Sequence, residues 1–283
     1  MSRIAIIAAL PKELKPLVKE WSEQSANGVN LWLHREGPNE WIAACAGMGV
    51  DAALRAYTEA AKTGGLDALF SIGWAGALRD GLTAGRAYRV SGVIDGQTAE
   101  RIRAIDTDAG QRGREQRRSQ ELKESGVRGA EGGENSEFGI QNPEAGTGQR
   151  EQAHWLVTLP HFAVKAEKAR LASLYGAAFV DMEAFGLARV AARQSIPFYC
   201  IKAISDGPNE NLPDFNRFFV SSENRFRLIP FIFFAFLRPW LWPALMRLGA
   251  YSNQAACDLR RFVLTTLKEH QMAAPPPNSI AND

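Results

Sequence analysis

Three carboxylic acids of this 283-residue chain have the side-chain type and the position to do chemistry: Glu13, Glu183 and Asp206. Each follows a run of mostly apolar residues of the kind that forms a buried element. A carboxyl group in such a place can give a proton to a leaving group, take one from water, or hold the hydroxyl groups of a sugar. The sequence therefore offers three candidate acid, base or binding groups.

Each acid also has a purely structural explanation. The run Asp206-Gly207-Pro208 is typical of a turn or a helix N-cap, so Asp206 alone is better explained in that way. A solvated helix position explains Glu183 and, even more readily, Glu13. The spacing of the three residues by itself leaves both interpretations open.

The elements that must position these acids follow a repeated pattern. Short apolar runs predict strands that are covered on both faces, and glycine turns or helices follow them. Strands that alternate with helices predict one layered α/β/α domain with a mixed, mostly parallel central sheet. Functional sites in such sheets form at the carboxyl ends of the strands. The predicted strands are 4–10, 41–46, 66–72 and 198–204, and the predicted helices include 12–21, 52–61 and 163–174.

Two segments differ from this pattern in composition. Residues 97–152 are rich in Gly, Glu, Arg, Gln and Ser and poor in aromatic and β-branched residues, so they bury too little apolar area to offset the entropy of ordering. We expect a disordered insertion there. The domain is predicted to span residues 1–270, and residues 271–283, which contain three consecutive prolines, are expected to form a disordered tail.

Overall composition excludes several functional classes. A hydrophobic fraction of 46% is ample for a large core, and a net charge of +2 gives no support for nucleic-acid binding. The dispersed cysteines Cys45, Cys200 and Cys257 suit reduced thiols in a cytoplasmic protein, and the N-terminal apolar run is too short for a signal peptide. The four histidines have no metal-ligand spacing, so we expect no metal and no cofactor.

Five motifs in order carry a family resemblance. The chain resembles the nucleoside phosphorylase superfamily, which includes the purine nucleoside and uridine phosphorylases, and within it the 5′-methylthioadenosine/S-adenosylhomocysteine nucleosidases. This resemblance implies cleavage of the N-glycosidic bond of a purine nucleoside. The motifs are 4–13, Gly47-Met48-Gly49, 71–76, Val180-Asp181-Met182-Glu183-Ala184 and 201–206.

The resemblance also implies a role for each acid. Asp206 would be the acid near purine N7, and Ser205 would orient it. Glu183 would bridge the ribose hydroxyls beside Met182. Glu13 would bind and activate the attacking water. The roles of Asp206 and Glu183 hold whether water or phosphate attacks, whereas Glu13 acts as a base only with water.

Four further residues are candidates for substrate contacts. Phe162 would stack on the base. Trp74 occupies a position where the nucleosidases usually carry a small hydroxyl residue, and it forms either a wall of the pocket or part of the core. Lys202 stands where arginine is common, so it keeps the charge but not the forked geometry that grips an oxyanion. Gly76 ends a glycine turn whose N–H groups could face phosphate or water, so phosphate is a possible co-substrate.

The apolar segment 228–248 adds a separate question. Three prolines and Arg238 interrupt it, so it offers no uninterrupted spanning helix. It could be a core or subunit-contact helix pair, a wall around an apolar substituent of the substrate, or an interfacial membrane anchor. Its sequence resembles the C-terminal region of the hopanoid-associated phosphorylases, which implies an adenosyl-bearing lipid as substrate.

The favoured hypothesis is a cytoplasmic nucleosidase or phosphorylase that acts on a 5′-substituted adenine nucleoside and forms a homo-oligomer, with a dimer as the simplest case. The first alternative is a hopanoid-associated phosphorylase with peripheral membrane contact through 228–248. The second is a non-catalytic nucleoside-binding or membrane-associated protein, although binding alone would not require Glu13.

Overall fold

A computed structural model of the chain describes residues 2–62, 64–105, 154–210, 212–220 and 225–273. The strands in these ranges are β1 (Arg3–Ala8), β2 (Ser22–Ala26), β3 (Val29–Glu36), β4 (Asn39–Cys45), β5 (Ala68–Ala77), β6 (Ala87–Arg89), β7 (Gly92–Asp95), β8 (Arg101–Arg103), β9 (Trp155–Thr158), β10 (Phe179–Asp181), β11 (Phe198–Asp206), β12 (Phe219–Val220) and β13 (Arg225–Phe226). The helices are α1 (Pro11–Leu14), α2 (Val50–Ala61), α3 (Lys165–Tyr175), α4 (Ala184–Arg193), α5 (Leu228–Phe236) and α6 (Trp242–Ala273).

One large mixed sheet holds the first eleven strands. Its order is β2-β3-β4-β1-β5-β10-β9-β7-β8, and β11 pairs with β5 on one side and β6 on the other. The pairs β1–β4, β1–β5 and β5–β11 are parallel, whereas β2, β3 and β8 add antiparallel hairpins at the edges. The predicted mixed, mostly parallel sheet is confirmed, and its parallel centre is where the first and last predicted strands meet β5.

Helices cover both faces of this sheet. On one face, apolar side chains of α2 and α4 join a core cluster with alternate residues of the central strands. On the other, Leu14 of α1 and the stripe Ala255, Leu259, Val263 and Leu267 of α6 form a second cluster with the opposite residues of the same strands. The spacing of that stripe puts its members on one side of a helix. The α/β/α layering is therefore confirmed.

Two local predictions are wrong. The helix predicted over 12–21 ends at Leu14, because Pro16 has no N–H for the carbonyl of Lys12. The glycine turn predicted at 73–76 lies inside β5, which pairs with β11 from Leu69 to Gly76. Glycine serves there for close packing and an unusual backbone angle, with φ of +144° at Gly73, rather than for a turn.

The predicted start of the insertion also needs correction. Residues 97–105 are described, and β8 within them pairs antiparallel with β7, while Ile102 packs against the first core cluster. Backbone pairing and the apolar side chains of Ile102 and Ala104 hold a stretch whose overall composition is polar. The rest of the predicted insertion, 106–152, lies outside the described residues. Helix α6 continues to Ala273, so the predicted tail begins later than 271, and its remainder is also outside them.

The apolar segment 228–248 forms α5, a 3-10 turn (Pro239–Leu241) and the start of α6. Most of its large apolar side chains are exposed in this chain, and Ile229, Trp240 and Met246 are each more than two-thirds exposed. The core explanation of this segment is therefore wrong for the isolated chain. Within the described residues, no single helix is long and apolar enough to cross a membrane. Leu228–Phe236 and Pro239–Glu269 pass that test only as a pair bent by 104°.

Candidate functional site

The central strands bring the three acids to one edge of the sheet, although β10 runs antiparallel to β5. Glu13 lies in the first turn after β1, Glu183 lies between β10 and α4, and Asp206 is the last residue of β11. The negative charge of Glu13 acts on Glu183, and the positive charge of Lys202 acts on both glutamates. Each acid therefore stands at the end of a strand or at a junction between two elements.

Glu13 is held by backbone amides from the end of β1 and from within β5. Its Oε2 accepts from the N–H groups of Ala9 (3.0 Å) and Leu10 (2.8 Å), and its Oε1 accepts from Trp74 N–H (2.7 Å). A Cβ at Gly73 would lie 2.8 Å from Oε1, so only glycine leaves room for the carboxylate. Burial raises the pKa of Glu13 above its ordinary value, although the three amides and Lys202 oppose that rise. Oε1 accepts one hydrogen bond from an amide and has a further lone pair, which can accept from a second donor such as water.

Glu183 is anchored by the motif Gly47-Met48-Gly49. Its Oε1 accepts from Gly49 N–H at 2.9 Å, where the glycine precedes α2, and its Oε2 accepts from Met182 N–H at 3.3 Å. Burial, followed by the negative charge of Asp181, raises the pKa of Glu183 to about 7. With a pKa of about 7, both charge states of this carboxyl group are populated near neutral pH, and the ionised form can accept hydrogen bonds from hydroxyl groups.

Lys202 does not face an open pocket. Its ammonium lies 2.9 Å from Asp181 Oδ2, and the two side chains are 2% and 0% exposed. Asp181 also accepts from the Thr158 hydroxyl at 2.7 Å and from the N–H of Ala184 at 3.0 Å. Burial alone would lower the pKa of Lys202, but Asp181 and its other acidic neighbours raise it, so the lysine stays charged. Sequence reasoning missed the role of Asp181 because the residue was visible only as part of a motif.

Asp206 has a partner that sequence reasoning also missed. Ser205 Oγ lies 2.6 Å from Asp206 Oδ1, which agrees with its predicted orienting role. The ammonium of Lys168, from α3, donates to Asp206 Oδ2 and, at 2.9 Å, to the carbonyl of Gly207. A register shift between Ile204 and Asp206 puts the aspartate opposite Gly76. In the sequence, Lys168 stands in a helix rich in charged residues and looks like an ordinary solvated lysine.

The remaining predicted contacts are spread over three places. The main-chain N–H of Trp74 reaches Glu13, but its ring packs against the second core cluster, which is the core alternative for that residue. Gly76 lies beside Lys168, and Met182 is buried next to Glu183. Phe162 bonds through its main chain to Asn216 and joins an aromatic cluster, and its described contacts do not reach the three acids. That cluster comprises Phe162, Phe215, Phe218, Phe219, Phe226, Phe231 and Phe234.

The chemistry of the site rests on carboxylates and ammonium groups. The residues that the structure describes contain no group of three or more His, Cys, Asp or Glu that could hold a metal ion. The cysteines Cys45, Cys200 and Cys257 are free, and burial raises the pKa of the first two to about 12. Neither of these two buried thiols is a nucleophile at neutral pH.

Comparisons with known proteins agree with this arrangement. Residues 3–229 match the family described as the phosphorylase superfamily. No curated protein sequence matches the chain. Among solved structures, a 5′-methylthioadenosine/S-adenosyl homocysteine nucleosidase of Helicobacter pylori superposes with a TM-score of 0.62 at 14% identity, covering 95% of this chain and 98% of that one. The futalosine hydrolase of Helicobacter pylori gives 0.61 at 14% identity, with coverages of 95% and 98%. The Campylobacter jejuni nucleosidase gives 0.60 at 15% identity, with coverages of 95% and 100%.

Proposed function

Because the chain belongs to the phosphorylase superfamily, we propose that it cleaves the N-glycosidic bond of a purine nucleoside. The observation that carries this proposal is the set of three acids at one edge of the sheet, each fixed by hydrogen bonds that leave it little freedom. Fixed groups of this kind can stabilise a transition state without reorganising during the reaction. The neighbours' names, which refer to nucleosidases and a hydrolase, support the same class of reaction.

In the proposed reaction the bond between the ribose C1′ and the base nitrogen breaks, and its electron pair leaves with the base. Asp206, which must enter the reaction in its protonated form, gives that proton to N7 of the departing purine. Glu183, as the anion, holds the ribose hydroxyls and stabilises the positive charge that develops on the sugar. Water adds its oxygen to C1′ and gives its proton to Oε1 of Glu13, which the amide of Trp74 holds in place.

Water is favoured over phosphate by the position of Lys202. An attacking phosphate needs cations to hold its charge, and Lys202 stands where the family commonly has arginine. Here its ammonium is paired with Asp181 in the interior and is 2% exposed. A lysine in that state is not free to bind an oxyanion. We therefore propose a hydrolase, with phosphorolysis as the alternative that the assay must test.

A substituent at the 5′ position of the ribose is part of the same proposal. The sequence resemblance implies a 5′-substituted adenine nucleoside, and a solved neighbour has 5′-methylthioadenosine in its active site. The aromatic cluster links Phe162 to Phe231 of α5 through Phe226. It therefore continues into the exposed apolar segment. An apolar 5′ group, including the lipid chain of an adenosyl lipid, fits such surroundings.

The test is base release by the purified full-length chain. Adenosine, inosine, 5′-methylthioadenosine and S-adenosylhomocysteine are incubated with and without phosphate, and the free base and the sugar product are separated by chromatography. We expect free base and free sugar in the absence of phosphate. A sugar phosphate that forms only with phosphate present would replace hydrolysis by phosphorolysis. Tight nucleoside binding with no base release from any substrate would contradict the proposal and favour the non-catalytic alternative.

A second proposal concerns the segment 228–248, which we propose lies on the surface of an anionic lipid bilayer. Its apolar side chains are exposed along α5 and the start of α6, and an exposed apolar patch of this extent usually marks an interaction surface. Its charged residues are the arginines Arg238 and Arg247, and no acid occurs between Glu223 and Asp258. A second copy of the same segment would bring only further positive charge, whereas anionic lipid headgroups would complement the two arginines.

Vesicle co-sedimentation tests this second proposal. We expect the chain to bind vesicles that contain phosphatidylglycerol and to bind pure phosphatidylcholine vesicles much less. The double variant Ile229→Ser, Trp240→Ser should lose binding, while Leu174→Ser, an exposed apolar residue on α3, should not. Dimer formation that the double variant abolishes, without vesicle binding by the wild type, would assign the segment to a subunit contact instead. The homo-oligomer that the resemblance implies stays a prediction, and light scattering in the same series measures it.

A further inference from the structure

A buried ammonium group stands beside the proposed acid. Lys168, on α3, has a side chain that is 6% exposed, and it donates to Asp206 Oδ2 and to the carbonyl oxygen of Gly207. On the β5 side, a Cβ at Gly76 would come within 3.2 Å of Nζ, so the absence of a side chain at Gly76 makes room for the ammonium. Burying a lysine this far is costly unless it is paired, so its position depends on Asp206.

Lys168 has one more N–H donor than the described residues around Asp206 engage. An ammonium carries three N–H donors and no acceptor. Asp206 and Gly207 take two donors of Lys168, and no acceptor for the third is found among the residues that the structure describes. Ser205 Oγ contacts the other oxygen of Asp206. A ligand next to Asp206 therefore meets a positive charge with a free N–H.

Purine bases differ at the edge that this donor would meet. A 6-oxopurine such as hypoxanthine or guanine presents two acceptors, N7 and O6. Adenine presents one acceptor, N7, and an amino group that is a donor. An ammonium can donate to O6 but can accept nothing from the amino group of adenine. A site that is built to hydrogen-bond one group discriminates strongly against an analogue that cannot complete the bond.

We propose that Lys168 makes the base subsite select 6-oxopurine nucleosides over adenine nucleosides. The inference rests on the proposed function, because that function places the base beside Asp206. Asp206 serves N7 and Lys168 donates to O6, so both acceptors of the 6-oxopurine edge are satisfied. This assignment departs from the adenine base that the sequence resemblance implies, and the reason is one lysine that the motifs do not contain.

The experiment compares kcat/KM for inosine and adenosine and for their 5′-methylthio derivatives. We expect the wild type to favour the hypoxanthine nucleosides by roughly 10- to 100-fold. Lys168→Gln, whose amide can both donate and accept, should reduce that ratio about tenfold or more, chiefly by lowering kcat/KM for the hypoxanthine nucleosides. Lys165→Gln, an exposed lysine on the same helix, is the matched control and should keep the wild-type ratio.

Binding of free hypoxanthine and free adenine, measured by calorimetry, gives a readout that does not need turnover. Tighter binding of hypoxanthine that Lys168→Gln abolishes supports the proposal even if catalysis is absent. Preference for adenine in the wild type, or a ratio that Lys168→Gln leaves unchanged, overturns it. No base release from any nucleoside would contradict the proposed function, whereas release of adenine in preference to hypoxanthine would contradict only the role of Lys168.

Discussion

Two lysine–aspartate pairs of this molecule have the same chemistry and opposite surroundings. Lys202 and Asp181 are sealed in the interior, where Thr158 and a main-chain amide also saturate the aspartate. Lys168 and Asp206 stand at the end of β11, and Asp206 keeps 14% of its side chain exposed. The first pair fixes the end of β10 to the middle of β11. The second leaves a charged edge that a ligand can reach. Accessibility therefore separates a structural ion pair from one that is available for recognition and catalysis.

The largest expected effect is on catalysis and comes from the accessible pair. Asp206→Asn removes the proposed proton donor, and we expect kcat/KM to fall by roughly 10²- to 10⁴-fold. Because the variant also leaves the buried ammonium of Lys168 without its charged partner, the free energy of unfolding should fall as well, but the loss of catalysis is the larger effect. Steady-state assays of base release and urea unfolding measure the two quantities. A variant that keeps its activity would remove Asp206 from the mechanism.

For the interior pair of Lys202 and Asp181, we expect the main effect on stability instead of catalysis. Lys202→Met leaves the charge of Asp181 buried without its partner, and we expect the free energy of unfolding to fall by about 3–5 kcal/mol. The matched control is Lys62→Met, which breaks a pair whose lysine is half-exposed and should cost about 1 kcal/mol or less. Equal losses in the two variants, measured by urea unfolding, would contradict the structural role given to Lys202.

A third buried carboxylate, that of Glu13, is held by backbone amides instead of a lysine. Gly73→Ala puts a methyl group 2.8 Å from Glu13 Oε1 at a backbone φ of +144°, so the carboxylate or the strand must move. We expect a loss of stability of about 1–3 kcal/mol together with lower activity. Gly28→Ala, at positive φ but with no atom within 4 Å of the new Cβ, is the control and should leave activity intact. Full activity in Gly73→Ala would show that the position of Glu13 is not needed.

The last expected effect appears only when the pH changes, and it concerns Glu183, which lies close to the interior pair. Its pKa is about 7 in the folded chain against an ordinary value of 4.5, so the folded state binds the proton more tightly than the unfolded state. The contribution of the protonated Glu183 to the free energy of unfolding is complete below pH 4.5 and is lost as the pH rises towards 7. The loss should be about 3 kcal/mol, and Glu183→Gln should remove it. Unfolding free energies across this pH window measure the difference, and parallel pH curves for wild type and variant would contradict it.

Sequence reasoning succeeded where a signal was local and repeated. The apolar runs located the central strands, and Glu13, Glu183 and Asp206 stand at the ends of such strands or at junctions, while their roles stay predictions. It failed where the signal came from elsewhere in the fold. Lys168 lies 38 residues from Asp206 in sequence, and nothing in α3 distinguishes it from its solvated neighbours. β8 is ordered by pairing with β7, which composition does not reveal.

The hydrogen bond between Gly49 and Glu183 joins residues 134 positions apart, and the bond from Trp74 to Glu13 spans 61. Contacts of such range form only after the chain has closed large loops, which makes them slow to appear during folding. Both acids therefore reach their final positions when the parallel strands have come together. Recovery of catalysis after dilution from denaturant should follow the last step of refolding. The time course of returning enzyme activity therefore measures when the sheet is complete.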